Sequence, residues 1–522
     1  MQTRTDIPAP LGGQRVSAPS HLEDKRFWRE TQNAHFTVDR VTKAPGMGLF
    51  GAASEYPSST TGLNGVPTYI DQLFDYDNNS ALIVGTTNDL FWYDTLATGV
   101  KFTSLKGSLS VSADLSHFWH GTFFREHLYL TNGINEIFDL SMTSGSPTSP
   151  AGKLTGEYCQ NIITFEDHLI QIAPGSASIS RQMVKWSDKG TANFTGGDSG
   201  SKDFADNPDW LTAAALLGSH LALYKERGII LVSFVGSPYV FDFHTQVDGV
   251  GTLSAKGIVN LGDEHIFIGN DNIYVFNGLS IKGIGDYIWQ DFFNDVHPRG
   301  WYAIQGFFIE EDALLMWLYP SKNQTIEASG QIAIIYDKAL CYNMLTGAYW
   351  FRDLPQVTCA GYYFKSADIS WATASGGWSS WGSIAWSGVR TQADAPSNLF
   401  GRYNQFIDEY DTTLYTIEGS DYETSIVSSS FRGDAGDGVY ILDNIQFVLS
   451  SGGSTDFKVY IGVKFSEHEA LTWKGPFSVL PNGKCYCRVA GAFFVLKLVS
   501  SSGVDVFSLT EYDPQISFMG KR

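Results

Sequence analysis

Charge is scarce in this 522-residue chain. Asp, Glu, Lys and Arg make up 17% of it, and 35 basic residues face 55 acidic ones. The resulting net charge of −20 argues against a protein that grips nucleic acid by neutralising phosphates. It suits a surface past which a polyanion slides without sticking, and equally one kept soluble by charge. The balance is uneven, because the first 50 residues hold seven Lys/Arg against five Asp/Glu and leave −22 on the rest. Cysteine is also sparse, at positions 159, 341, 359, 485 and 487, an odd number with no Cys-x-x-Cys pair. Cys485 and Cys487 fall on the same face of a strand, a poor geometry for a disulfide, so buried thiols are expected. No apolar run approaches the length of a membrane span, and residues 1–13 lack the apolar core of a secretion signal. The expectation is a soluble protein made in a cytoplasm, without membrane insertion.

Aromatic residues and glycine are plentiful instead. Phe, Trp and Tyr make up 14% of the chain, hydrophobic residues 43%, and there are 53 glycines. That composition reads as β-rich and turn-rich rather than as a helical bundle. Aromatics spread along the whole length argue against extensive disorder. At this length one ordinary core is not enough, so two or three domains are expected.

Three regions separate by texture. Residues 1–50 read as an extended N-terminal arm, with three prolines in the first 20 residues and a helix of one or two turns possible near 23–31. Residues 51–417 repeat a unit of about 40–50 residues, in which short apolar strands are joined by tight polar turns. One unit runs through Ala81–Gly85 and Leu90–Asp94, and another through Thr122–Phe124, His127–Thr131 and Glu136–Asp139. Others start at Asn161, Ala214, Gly257 and Ala313, the last continuing through 331–337 and 347–351. This is the sequence form of β-propeller blades, each unable to cover both faces of its sheet alone. Six units are clear, and a seventh is drawn from 371–416. Residues 418–522 change character, with strands expected at 439–449, 457–463, 485–489 and 493–499 in an antiparallel sandwich. The fold class is therefore all-β: a propeller of about six to seven blades, a C-terminal β-sandwich-like domain and an N-terminal arm.

Motifs with chemistry are weak. Ser187–Phe194 is similar to the Asp-box turn of sialidase propellers, but its Asp188 and Gly190 each stand one place early and Phe194 closes it. That turn is structural in any case, so it names a fold rather than a catalyst. His117, His120 and His127 sit in a strand-like stretch where neighbours face opposite sides, which suits structural histidines better than zinc ligands. Asp75, Asp77 and Asn79 occupy the first, third and fifth places of a calcium loop. Ser80 stands where glycine is needed, and no glutamate follows at the twelfth place, so an Asx-rich turn is expected. Gly249-Val250-Gly251 and Gly283-Ile284-Gly285 lack a strand–turn–helix context and read as turns. Trp378, Trp381 and Trp386 suit a subunit interface more than a sugar platform. No catalytic, cofactor-binding or metal-binding residue is assigned, and no enzyme activity is expected.

One stretch carries a resemblance. Lys185-Trp186-Ser187-Asp188 is followed by Leu221–Gly236, Pro238–Phe243, Asp248–Ser254 and Asp263–Gly278, the last reading Gly269-Asn-Asp-Asn-Ile-Tyr-Val-Phe-Asn-Gly278. This order resembles the propeller of podovirus tail nozzle proteins, also called tail tubular protein B or tail hub and stabilisation proteins. The C-terminus follows the pattern at Trp473-Lys-Gly-Pro476, Gly491–Leu498 and Gly520–Arg522, departing at Ala492, where a charged residue is usual. The resemblance covers 185–285 clearly and 473–522 more faintly. It implies a homo-hexameric ring at the end of a short bacteriophage tail, built in the host cytoplasm and carried in the virion. Its implied partners are the tail adaptor/portal complex, tail fibres or spikes, and genomic DNA in transient, sequence-independent passage. The competing expectation is a carbohydrate-binding or glycan-hydrolysing, sialidase-like propeller.

Overall fold

The computed structural model describes residues 2–520 except 5–6, 9–10, 16–26, 76–79, 96, 108, 112–114, 116, 144–145, 150, 176–177, 207, 325–332, 365–395, 433–437, 451–453, 467–468 and 504–505. Asp77, Asn79, Trp378, Trp381 and Trp386 lie outside the described residues.

Short apolar strands and tight turns build a β-propeller. Its first five blades are antiparallel meanders within 67–104, 120–153, 159–203, 211–248 and 258–283. Each is made of four strands in chain order, with one further short strand in the second. In blade 1 the strands are Pro67–Phe74, Ser80–Thr86, Leu90–Tyr93 and Phe102–Ser104. The strands are short because the polar turns that end them are sharp. At Arg125-Glu126 and Glu166-Asp167 both turn residues take positive φ, the twist that suits a two-residue hairpin. The same two turns are tied together, since Arg125 Nε and Nη2 donate to the two carboxylate oxygens of Asp167 at 2.9 and 2.7 Å.

Blades 6 and 7 share a strand. Ala348–Tyr363 runs for 16 residues. Its first half pairs with Tyr336–Asn343 as the outer strand of blade 6, after Gln305–Ile309 and Leu314–Tyr319. Its second half, beyond Pro355 and the positive-φ Gln356, pairs with Ser397–Arg402 and becomes the innermost strand of blade 7. The ring closes there. A Cβ on Gly361 would meet the backbone oxygen of Ile70 in blade 1 at 2.2 Å, so only glycine permits the approach. Blade 7 continues through Ile407–Asp411 and ends on Gly46–Leu49 from the N-terminal region. The propeller thus has seven blades, and the last one is completed by the start of the chain.

That seventh blade differs from the expected 371–416 unit in using 357–363 and 46–49. In blade 6 the strand expected from 331 begins, among the described residues, at Tyr336. The reason is that Ile334 is spent on a crossing, its N–H donating to Leu115 O ahead of blade 2.

The C-terminal sandwich is built with the N-terminal region as well. One sheet has Thr472–Ser478, Lys458–Lys464, Phe493–Ser500 and Thr424–Ser428 in order. Trp28–Gln32 continues it and meets blade 6 through a parallel Gln32–Phe351 pair, so this sheet and blade 6 are continuous. The other sheet orders Lys484–Gly491, Val439–Leu449, Ser508–Gly520, Val41–Lys43 and Ala34–Phe36, with Gln2–Arg4 and Ile7–Pro8 also on Ser508–Gly520. Between the sheets lie Trp28, Tyr440, Ile445, Val459, Cys485 and Leu496, all buried. The helical turn that the sequence allows near 23–31 is overruled within the described part. Trp28–Gln32 is a strand because Trp28 is fully buried and its backbone is paired on both sides. The arm is extended, but it is woven into the fold.

Blade 7 holds a strained charge. Asp408 is completely buried; one oxygen lies 3.2 Å from Arg402 Nη1, while the other has no hydrogen-bond partner. Arg402 is shared with Glu418. Burial pushes the Asp408 carboxyl up to about 6, against the pull of Arg402. Between about pH 4 and pH 6 the folded chain therefore keeps a proton that the unfolded chain has released. Stability from this group falls as pH rises through that window. The expected outcome is that Asp408→Asn gains on the wild type by roughly 3 kcal/mol between pH 4 and pH 7 in urea denaturation. A constant difference across that range contradicts the assignment.

Candidate functional site: the axis of the propeller and its mouth

The first strand of each blade lies innermost, so side chains at the starts of these strands converge on the axis. Lys256 stands just before the first strand of blade 5, and its Nζ donates to Thr68 O of blade 1 at 3.3 Å. Blades 1 and 5 are not neighbours in a ring of seven, so this side chain crosses the axis. Around it are Phe118, whose ring centroid is 4.6 Å from the ammonium, and Tyr69, whose hydroxyl donates to Asp71 at 2.6 Å. Burial drives Lys256 down to about 8, only partly opposed by Cys359 and Asp71, and raises Asp71. Burial, with help from Lys256, takes His120 down to about 3, so this imidazole is neutral. Gly121 lies against Tyr69, since a Cβ there would sit 2.1 Å from the Tyr69 hydroxyl. The axis is filled by these side chains.

At the end where the first strands begin, the axis opens into a mouth of about 550 Å³. It takes residues from blades 2 to 6, among them His117, Arg181, Trp210, Glu226, Arg299 and Trp301. The Arg181 guanidinium lies over the Trp210 ring at 4.2 Å. Trp301 is held by Trp289 and Phe293, with ring centroids 5.9 and 5.1 Å away. Helix Trp289–Asp295, in the connection from blade 5 to blade 6, supplies those two rings. The arrangement can bind a ligand by stacking and by charge.

The opposite end has a different surface. There the turns between third and fourth strands expose Val100 in blade 1, Tyr239 in blade 4, Leu279 in blade 5 and Leu345 in blade 6. Tyr239, Leu279 and Leu345 are 80%, 86% and 71% exposed.

The residues singled out in the sequence fall as follows. His117 and His120 reach the mouth and the axis, but His127 turns away to Asp139, its Nδ1 2.5 Å from Oδ1. No group of three or more His, Cys, Asp or Glu side chains placed to hold a metal ion occurs among the described residues. Ser187–Phe194 is the start of the turn between third and fourth strands of blade 3. Asp188 Oδ1 accepts the N–H groups of Lys189 and Asp198, both at 2.9 Å, which is a structural role. The stretch 185–285 that carries the resemblance runs from the third strand of blade 3 to the end of blade 5. Arg181, Trp210, Arg299 and Trp301 went unnoticed in the sequence. They stand at the ends of strands in different blades, and only the ring closure brings them together.

These sheets define a seven-bladed β-propeller joined to a β-sandwich. No family model matches the chain, and no curated protein does. Among solved structures, it is similar to the extracellular domain of a Bacteroides thetaiotaomicron protein described as a one component system. The identity is 11% and the TM-score 0.37, over 82% of this chain and 47% of that one, so the chain spans about half that protein's length. It is also similar to the computationally designed Ika8 protein, at 11% identity and TM-score 0.35, covering 76% of this chain and 99% of that one. The Neurospora crassa Pan2 WD40 domain follows at 9% and 0.33, covering 66% and 89%.

All five cysteines are buried and unpaired with one another. Burial pushes the thiols of Cys159, Cys341, Cys359 and Cys487 up to about 12, and that of Cys485 up to about 11. A thiol reagent such as dithionitrobenzoate at pH 8 is expected to modify none of the five in the native protein within an hour, and all five in urea. Rapid native modification of any one contradicts this burial.

Proposed function

We propose that this protein is a structural component of a short bacteriophage tail, acting as one of six copies in the nozzle ring through which DNA leaves. The observation that carries the reading is the apolar end of the propeller. Val100, Tyr239, Leu279 and Leu345 stand exposed on turns of four blades at this one end, where a protein partner could cover them. The sequence resemblance over 185–285 supports the same reading, and that stretch contributes Tyr239 and Leu279. The filled axis bears on how such a conduit would work. Lys256, Tyr69 and His120 occupy the centre of the propeller, so a DNA passage belongs between subunits rather than within one. A net charge of −20 suits that passage, because acidic walls repel phosphates and prevent sticking. The adaptor and the fibres or spikes are the partners for the apolar end and for neighbouring surfaces.

Light scattering on the purified protein, alone and with a tail adaptor/portal complex, tests the proposal. Six copies per ring, formed alone or on the adaptor, are the expected result. A monomer that ignores the adaptor at micromolar concentration overturns it.

A further inference from the structure

We propose that one outer face of the sandwich binds single-stranded nucleic acid weakly and without sequence preference, stacking bases on Trp473 and Tyr460 and taking phosphates on Lys458, Lys474 and Lys497. The surface lies within one chain, so the inference holds whether or not six copies form a ring.

Strand pairing brings these side chains together. In Lys458–Lys464 the residues Val459, Ile461 and Val463 are buried between the sheets, so Lys458, Tyr460, Gly462 and Lys464 point outward. Lys497 stands directly opposite Tyr460 on one neighbouring strand, and Trp473 opposite Gly462 on the other. Opposite residues lie about 5 Å apart at Cβ, and successive residues on one face about 7 Å apart. Lys458, Tyr460, Lys497 and Trp473 therefore share one small patch. Lys474 follows Trp473 on the exposed edge strand Thr472–Ser478.

The indole is held as a platform. A Cβ on Gly462 would come within 3.1 Å of Trp473 Cζ3, so the glycine lets the ring lie against the sheet. Trp473 is still 42% exposed, which leaves its outward side to solvent. Farther along the same face, Phe493 is opposite Lys464, and Lys464 and Arg432 lie 5.4 and 5.8 Å from its ring centroid.

The charge of the chain is concentrated elsewhere. Residues 51–417 hold 19 basic and 38 acidic residues, whereas residues 418–522 hold nine and twelve. The propeller thus carries −19 and the sandwich segment only −3. Lys458, Lys474 and Lys497 make no ion pair with a described residue. Carboxylates stand at the margins of the patch. Asp456 precedes the strand, and Glu30 is two strands from Lys497 with Arg29 Nε at 4.0 Å. Charges beyond about 8 Å are largely screened at physiological salt, so the lysines set the local potential.

The pairing of lysines with an outward indole favours single strands over other polyanions. A duplex keeps its base faces stacked and offers Trp473 nothing, while an acidic peptide has no flat ring to lay on it. Unstacked bases use both the aromatic and the cationic groups.

Fluorescence anisotropy of a labelled oligothymidylate with the full-length protein tests the proposal, with a mixed-sequence duplex and polyglutamate as comparisons. Saturable binding is expected, with a Kd on the order of 10 μM in 50 mM salt, and weaker binding of both comparisons. Three phosphate contacts predict a slope of log K against log salt of about −2. Trp473→Ala should weaken binding about tenfold through the lost stacking. The double variant Lys458→Gln/Lys497→Gln changes only surface lysines and should cut the slope to about −0.7, with unchanged circular dichroism. The proposal is overturned if the oligothymidylate does not bind, if the duplex or polyglutamate binds as tightly, or if the Trp473 and double-lysine variants both bind like the wild type.

Discussion

A propeller is a closed ring, and a ring of sheets needs a joint that does not slip. In this protein the joint is the pairing of Gly46–Leu49 with Ile407–Asp411, which uses the start of the chain to finish the last blade. The same N-terminal region then supplies Trp28–Gln32 to one sheet of the sandwich, and Ala34–Phe36 and Val41–Lys43 to the other. Two side chains fix it further. The buried Lys43 ammonium donates to Tyr422 O and Ser502 O at 2.7 and 2.9 Å and lies over the Tyr422 ring. Arg352 of the strand shared by blades 6 and 7 donates to Pro45 O. Buried cations of this kind are costly unless their donors are satisfied, and here backbone carbonyls from distant segments meet them. Propeller and sandwich are therefore one cooperative body, because neither can be completed without residues 28–49.

The closed ring also divides the molecule into two ends with different side chains. Antiparallel strands send every first-to-second and third-to-fourth turn to one end, and every other connection to the opposite end. The first end collects Val100, Tyr239, Leu279 and Leu345. The second collects Arg181, Arg299, Trp210 and Trp301. Lys256, held between Thr68 and the ring of Phe118, separates them. The proposed assembly surface and the mouth thus lie at opposite ends of one propeller, and neither requires a hole through its centre.

The repeating part of this fold was legible in the sequence because each blade is local. Alternating apolar runs ended by pairs such as Gly218-Ser219 and Glu166-Asp167 mark hairpins within about ten residues, and the structure places strands on both sides of them. In the sandwich, Val439–Leu449, Lys458–Lys464 and Phe493–Ser500 follow the expected strands within a residue. What was not legible is non-local. Gly46–Leu49 carries no propeller signal, since its register is set by a partner 360 residues away. Ala348–Tyr363 reads as one strand but serves two blades, and only the bend at Pro355-Gln356 hints at it. The Asp-box-like turn is visible in its residues alone, since Asp188 ties it together locally, whereas the mouth is an outcome of closure. Arg181 and Arg299 are 118 positions apart, and no spacing rule joins them.

The measurement that bears most directly on this account is amide hydrogen exchange of the full-length protein, followed over peptides covering 28–49. If these residues close both the ring and the sandwich, their amides open only with the whole body. They should then exchange as slowly as those of Leu314–Tyr319 and Val439–Leu449. Exchange at 28–49 that runs orders of magnitude faster while those core strands stay protected would show a detachable arm, and would contradict the account.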